Sequence, residues 1–370
     1  MIELQADFAL DLFRRCCAGS RFGRSSVISP IIVSAGLAMT FAGANGRTKK
    51  EILEVLGGGG SCPRIIEFYG HQLGEMLTII EGSQFRVANR LYIPANVIMN
   101  PTFNEIINND FHGRAAQLNF EEPIQAAKEI NDYVSECTNH NINDLIKASD
   151  INRNDPNAMM IISGIYYNGP WEFPFEIERT TRAPFYESKH RQREVDMMTV
   201  KGEFPYTQSK DLQVLGIPFK RYAVYLFVFL PLHRFGYIPV EDQLSGSRLL
   251  SLMDSCDSSE VEVKLPRFAI ERELDMIAQL EQMGVHEAFT HDADFSNITD
   301  QKRLYISKFY HKASIRVDER GSQINETKAE DTPNSHDQGH RPGPAYFIAD
   351  HPFLFAVVKY DVIVFIGSVQ

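Results

Sequence analysis

Ser335-His336-Asp337 brings together the three residue types of a hydrolytic triad. Three consecutive residues in an extended chain point alternately to opposite sides, so they cannot align as nucleophile, base and orienter. His336 and His340 would share a metal only on a helix, and Gly339 and Pro342 oppose one there. Gly57–Gly60 lacks the following Lys-Ser or Lys-Thr and the preceding strand of a phosphate loop. His351 borders an apolar run and reads as a core histidine. The lone Trp171 reads as a packing residue, and nothing marks any pair of carboxylates as perturbed. No constellation supports catalysis, so the expectation is a protein that is not an enzyme and has no catalytic residue, cofactor or metal.

Composition narrows the partners. The 370 residues are 44% hydrophobic and 23% charged, with a formal charge of −11. That length supports one large core or two smaller ones. The acidic balance argues against a nucleic-acid surface, and the small basic clusters at Arg47–Lys50 and Lys189–Arg193 read as solvated loop charges. No apolar run approaches the roughly 18 residues of a membrane span, so no membrane association is expected. The opening MIELQADF mixes acids with apolar residues and does not read as a signal peptide. Five cysteines (Cys16, Cys17, Cys62, Cys137 and Cys256) form no CxxC, and their number is odd. They suit reduced thiols and a cytoplasmic location, with unconventional export as the route to any extracellular role. Asn297 and Asn325 begin glycosylation sequons, which matter only for an exported chain.

The elements come next. Apolar spacing predicts helices over residues 2–16, from Pro63, and from Pro123 with Ile124, Ala127, Ile130, Val134 and Cys137 on one stripe. Val27–Ala42 reads as a buried helix. Thr48 and Glu51 have capping-box spacing for a helix that ends in glycines. Asn100-Pro101 is an N-cap followed by proline. Phe85–Ile93, Ala158–Tyr167, Ala223–Leu230 and Glu260–Leu265 read as strands. Ala158–Tyr167 is apolar throughout, as suits a central strand covered on both faces. Glu271–Met283 reads as a helix ended by Gly284. Helices first and strands later argue for an α+β fold in a single domain spanning 1–370.

One stretch resists that pattern. HKASIRV (His311–Val317) and FLFAVV (Phe353–Val358) read as strands, and Gly321–Pro344 between them is polar and rich in Gly, Pro, Asn and Ser. A tether of that length inside a hydrophobic domain is usually functional or disordered.

Several blocks in consistent order resemble the serpin family. They are Ser29-Pro30 with GLAMTFAGANGRT (Gly36–Thr48), ANRLY (Ala88–Tyr92), INDYV (Ile130–Val134) and GIYYNGPW (Gly164–Trp171). VDMM (Val195–Met198), LPRF (Leu265–Phe268), DADFSNIT (Asp292–Thr299), HKASIRVDERG (His311–Gly321) and ADHPFLF (Ala349–Phe355) follow. The unled start resembles the intracellular, ovalbumin-like branch. The resemblance implies three β-sheets, eight or nine helices and an exposed reactive-centre loop at about 321–344. It also implies a metastable fold that traps a serine or cysteine protease. After cleavage the loop inserts as a new central strand of the largest sheet, and the stored strain drives the switch. The partner implied is one protease per inhibitor monomer.

The resemblance assigns a hinge of Glu319, Gly321, Ser322, Ile324, Glu326 and Lys328. Its inward positions would be Ser322, Ile324, Glu326, Lys328 and Glu330, where inhibitory members place small residues. Burying an unpaired ion costs several kcal/mol, roughly, so this hinge departs from the inhibitory pattern. Pro333 lacks a donor for a central strand. The scissile bond falls near Ser335-His336 counting from the hinge. Counting back from Pro352 it falls between Gln338-Gly339 and Arg341-Pro342. Ser29 and His311 match the family's sheet-opening cluster, whereas Ile32 and Ser163 stand where a serine and an asparagine are expected. The leading expectation is a protease inhibitor. The alternative is a non-inhibitory serpin-fold protein that binds, stores or chaperones.

Overall fold

The computed structural model describes residues 1–18, 24–57, 62–80, 82–301, 303–322 and 344–370. The first half runs α1 (Ile2–Cys17), β1 (Ser26–Ile28), α2 (Pro30–Gly43), α3 (Gly46–Gly57) and α4 (Cys62–Leu77), then β2 (Gln84–Pro94), α5 (Pro101–Asp110), β3 (Ala115–Leu118) and α6 (Pro123–Cys137). Strands then dominate: β4 (Ala158–Pro170), β5 (Thr181–Ser188), β6 (Arg191–Gln208), β7 (Leu212–Pro218) and β8 (Val224–Pro231). Next come α7 (Tyr237–Gln243), α8 (Gly246–Asp254), β9 (Asp257–Pro266), β10 (Phe268–Asp275) and α9 (Ile277–Met283). The chain closes with β11 (Tyr305–Val317), β12 (Gly321–Ser322), β13 (Ala345–Ile348), β14 (Phe353–Lys359) and β15 (Val362–Val369).

One sheet has the order β10-β11-β4-β2-β3, with β12 against β4. The other runs β1-β15-β14-β8-β7-β6-β9-β13, with β5 on β6. The long β6 pairs β5 and β9 and also meets β7, so two of the three expected sheets join through one strand.

β4 is central because both its faces are apolar. Met159, Ile161, Ile165 and Tyr167 face the main core, and Met160 and Ile162 face a second core that includes Ile130 and Val134 of α6. Each such side chain contributes about 1.5–3 kcal/mol by leaving water. Asn100 caps α5 as expected, accepting from the Thr102 amide at 3.0 Å.

Four local expectations are corrected. Val27 lies in β1, because Pro30 fixes the first turn of α2. The helix read from Thr48 begins at Gly46, so Thr48 and Glu51 sit inside it and cap elsewhere. Glu51 accepts the amides of His286 and Glu287 at 2.8 Å each, opening the short 3-10 turn Glu287–Phe289. Thr48 donates to Glu287 at 2.6 Å. Glu271–Asp275 is strand β10, and only Ile277–Met283 is helical before Gly284 takes φ 113°. Short charged segments fit both periods, and here Lys312 pulls Glu271 and Glu273 into a strand pair. Ile124 is exposed and not on the buried stripe of α6.

Candidate functional site

The site is the seam between β11 and β4, together with the corner where the chain turns back from β11. Asp318 and Gly321 bond each other's backbones, N to O at 2.9 and 3.3 Å. Glu319 turns inward, with its side chain 6% exposed, and meets Arg267 at 2.5 Å. The Thr180 hydroxyl donates to the same carboxylate at 2.7 Å. Burial alone would push the Glu319 carboxyl up, but the bonds from Arg267 and Thr180 outweigh it and hold it below the usual range. Trp171 clamps the corner, donating from its indole to the Asp318 carbonyl at 2.8 Å and from its amide to the Arg320 carbonyl at 2.9 Å. It is buried and stacked on Phe219 with centroids 4.2 Å apart, as befits a packing residue.

Gly321 has φ 141°, and a Cβ there would lie against the Gly169 carbonyl and 2.7 Å from Pro170 Cα. Only glycine meets both demands. β12 then runs antiparallel to β4, with Gly321 opposite Pro170 and Ser322 opposite Gly169. Ser322 is fully buried, and its hydroxyl donates to the Tyr167 carbonyl at 2.9 Å.

Directly ahead of β12, β11 and β4 pair in parallel from Tyr305/Ala158 to Ser314/Tyr166. β4 carries no charged residue, so no ion pair can cross that seam. On the far side of β11, Lys312 bonds Glu271 and Glu273 at 2.9 and 3.7 Å, and Lys308 bonds Asp275 at 3.1 Å. β10 and β11 are therefore riveted together, and the β11–β4 seam is held by backbone pairing and a few neutral bonds.

The most buried of those bonds form a rung across the sheet. Asn89 of β2, Ser163 of β4 and His311 of β11 lie opposite one another. The Ser29 amide donates to His311 Nε2 at 3.0 Å, which makes Nε2 the acceptor and places the proton on Nδ1. Nδ1 therefore donates to Ser163 Oγ at 3.1 Å. Complete burial holds the imidazole neutral, its pKa lowered to about 3. Asn89 donates to the Ile32 carbonyl at 3.1 Å, fastening the rung to α2, and its Oδ1 is buried without a partner. Ser163 is shorter than the expected asparagine, and Ile32 offers only its backbone. The sequence reading missed Asn89; it is noticeable only as the polar residue in the apolar alternation of ANRLY.

The return end of the loop is anchored separately. β13 pairs with β9 from Ala345/Val261 to Ile348/Lys264. His351 is buried, with Nε2 2.8 Å from the Pro231 carbonyl and Nδ1 2.7 Å from Asp350, as expected of a satisfied core histidine. Asp350 also meets Arg234 at 2.7 Å.

The structure thus brings Ser29, Ser163 and His311 together and places Glu319, Gly321 and Ser322 at the mouth of the seam. Ile324, Glu326, Lys328, Ser335, His336, Gln338, Gly339, Arg341 and Pro342 lie outside the described residues, as does Asn325. Asn297 is half-buried, and its side chain donates to the Ala44 carbonyl at 2.9 Å, which disfavours that sequon.

Residues 3–370 match the family Serpin (serine protease inhibitor). The chain belongs to the serpin family. This serpin is 28% identical over 358 residues to intracellular coagulation inhibitor 2 of Tachypleus tridentatus, covering 94% of this chain and 86% of that one. Serpin48 of the insect Tenebrio molitor superposes with a TM-score of 0.87 at 27% identity, over 100% of this chain and 97% of that one. Uncleaved ovalbumin superposes at 0.86 and 22% identity, over 99% and 98%, a likeness of fold.

Proposed function

We propose that this serpin is a protease inhibitor that offers residues 323–343 as bait to a serine or cysteine protease and traps it by strand insertion. The observation that carries this reading is the position of β12. It already lies antiparallel on β4, aimed down a seam of the sheet that, among the described residues, has charged rivets on its outer side and none across it. A strand continuing there would be antiparallel to both β4 and β11, replacing their mutual bonds with its own. Curated relatives named as inhibitors, such as intracellular coagulation inhibitor 2 and the antitrypsin of Bombyx mori, support the same reading.

The register also favours a second reading. Continued in step, position 324 falls opposite Tyr167, 326 opposite Ile165, 328 opposite Ser163 and 330 opposite Ile161. All four β4 positions face the core-side layer of the sheet. Insertion would therefore drive Ile324, Glu326, Lys328 and Glu330 into the interior. Each unpaired ion costs several kcal/mol, roughly, which favours a non-inhibitory role in which the loop is cut without inserting.

Incubation with trypsin-like, chymotrypsin-like, elastase-like and papain-like proteases separates the two. The inhibitor reading expects a covalent complex on a denaturing gel and a cleaved form with a thermal midpoint raised by tens of degrees. Cleavage in the loop with no complex and an unchanged midpoint would leave only the second reading.

A further inference from the structure

A second cluster of chemistry lies away from the seam, where α6 meets the β2–β3 edge. The Arg90 guanidinium stacks on the Tyr133 ring, 3.6 Å from its centroid, with the Tyr92 ring 5.9 Å away. Arg114, the residue just before β3, reaches the same residue, donating from Nη1 to the Tyr133 hydroxyl at 2.5 Å. That hydroxyl donates in turn to the Asn89 carbonyl at 3.3 Å. The pairing of Leu91 with Ala115 makes Arg90 and Arg114 neighbours across β2 and β3.

Two guanidinium groups therefore meet at one phenol. Among the described residues no carboxylate forms an ion pair with either, whereas the half-buried Arg14 pairs with Glu241. Arg90 Nε is shut off from solvent, and the Tyr92 hydroxyl lies beside its guanidinium. Buried donors of this kind ordinarily find an acceptor. Both arginines are only half-buried, so the cluster is reachable from solvent. Forked donors with no carboxylate partner match the geometry of a tetrahedral or planar oxyanion.

We propose that Arg90 and Arg114 form the cationic half of a small-oxyanion site, for a phosphate or sulfate group, between α6 and the β2–β3 edge. The anion accepts from the accessible nitrogens of these half-buried guanidinium groups and relieves the repulsion between them. Tyr133 positions both arginines, one on its face and one on its hydroxyl. Because Tyr133 belongs to α6 and both arginines flank the sheet, an anion held there fastens the helix more firmly over β2. This follows from the cluster alone and holds whether or not the loop inserts.

The test is calorimetric titration of the whole protein with inorganic phosphate, and separately with sulfate, each replacing chloride at constant ionic strength. Thermal unfolding is followed in parallel. The expected result is saturable binding to one site, with a thermal midpoint that rises with phosphate by mass action. Arg90→Gln and Arg114→Gln should each weaken binding at least tenfold, and Arg182→Gln, an exposed arginine on β5, should leave it unchanged. Non-saturating stabilisation, or binding of equal strength in Arg90→Gln and Arg114→Gln, would reduce the effect to general salt action or an adventitious ion and overturn the proposal. Should Arg90→Gln fail to fold, Arg114→Gln decides alone.

Discussion

The hydroxyl of Ser322 donates to the carbonyl oxygen of Tyr167 at 2.9 Å, so the chain is already a strand of the sheet one residue past its corner glycine. The bond fixes both the register and the face on which later residues would enter. It makes the corner the start of any insertion, and the corner is where substitutions should be felt first.

Gly321→Ala is the sharpest probe of that start. An alanine at φ 141° is strained, and its Cβ would press on the Gly169 carbonyl and Pro170 Cα. The expected cost is about 1–3 kcal/mol, with β12 lifted off β4. Limited proteolysis should show faster cutting between positions 321 and 344, and denaturant unfolding should show the loss of stability. An unchanged proteolysis rate would mean that β12 is not seated on β4 in solution.

Glu319→Lys tests the anchor behind the corner. It replaces the partner of Arg267 with a second cation at a site where the side chain is 6% exposed. Arg267 is 40% exposed and can turn to Asp196 at 3.8 Å, which moderates the effect. A loss of about 1–3 kcal/mol is expected, read by urea unfolding. Glu319→Gln, which keeps the Thr180 bond, should lose less. Equal stability of both variants would remove the ion pair from the account.

Much of this site is legible in the sequence, and for definite reasons. The strands on either side of the loop announce themselves by apolar runs, and Gly321 by its place at the end of one. The inward position of Ser322 comes from the resemblance and not from local pattern, and Ser322 is buried opposite Gly169. What is not legible depends on partners distant in the chain. Thr48 and Glu51 have capping-box spacing, yet their donors and acceptors lie around Asp294 and Glu287. Glu271 reads as helical until Lys312 is placed beside it. Asn89 gains a role only once β2, β4 and β11 are aligned, and no local pattern encodes that alignment.

His311 gives the closed seam a pH dependence of known sign. Its pKa is lowered from 6.5 to about 3 in the fold, so between those values the unfolded chain binds a proton that the native chain does not. The stability it supports is fully present above pH 6.5 and falls as the pH drops toward 3, by at most about 1.4 kcal/mol per unit. His311→Gln removes the titrating group, and its amide can still donate to Ser163. The unfolding free energy of the variant should fall less steeply than the parent's between pH 6.5 and 4.5. Identical slopes would show that His311 is not held neutral.

The hinge supplies the test that bears most directly on function. Continued from β12, positions 324, 326 and 328 face Tyr167, Ile165 and Ser163 on the core side of β4. Glu326 and Lys328 would lie two residues apart on one face, roughly 7 Å along the strand, a separation their long side chains can bridge. Any mutual attraction leaves most of the desolvation cost of several kcal/mol, roughly, per ion. Replacing Ile324, Glu326 and Lys328 together by alanine removes both ions and the bulk. If insertion is merely slowed by this cost, the triple variant should give more covalent complex with the same protease and a larger rise in thermal midpoint on cleavage. If the parent forms no complex and the variant forms none either, the obstacle lies in the sheet and not in the hinge. The altered rung of Asn89, Ser163 and His311, where Asn89 Oδ1 has no partner, would then be the place to look.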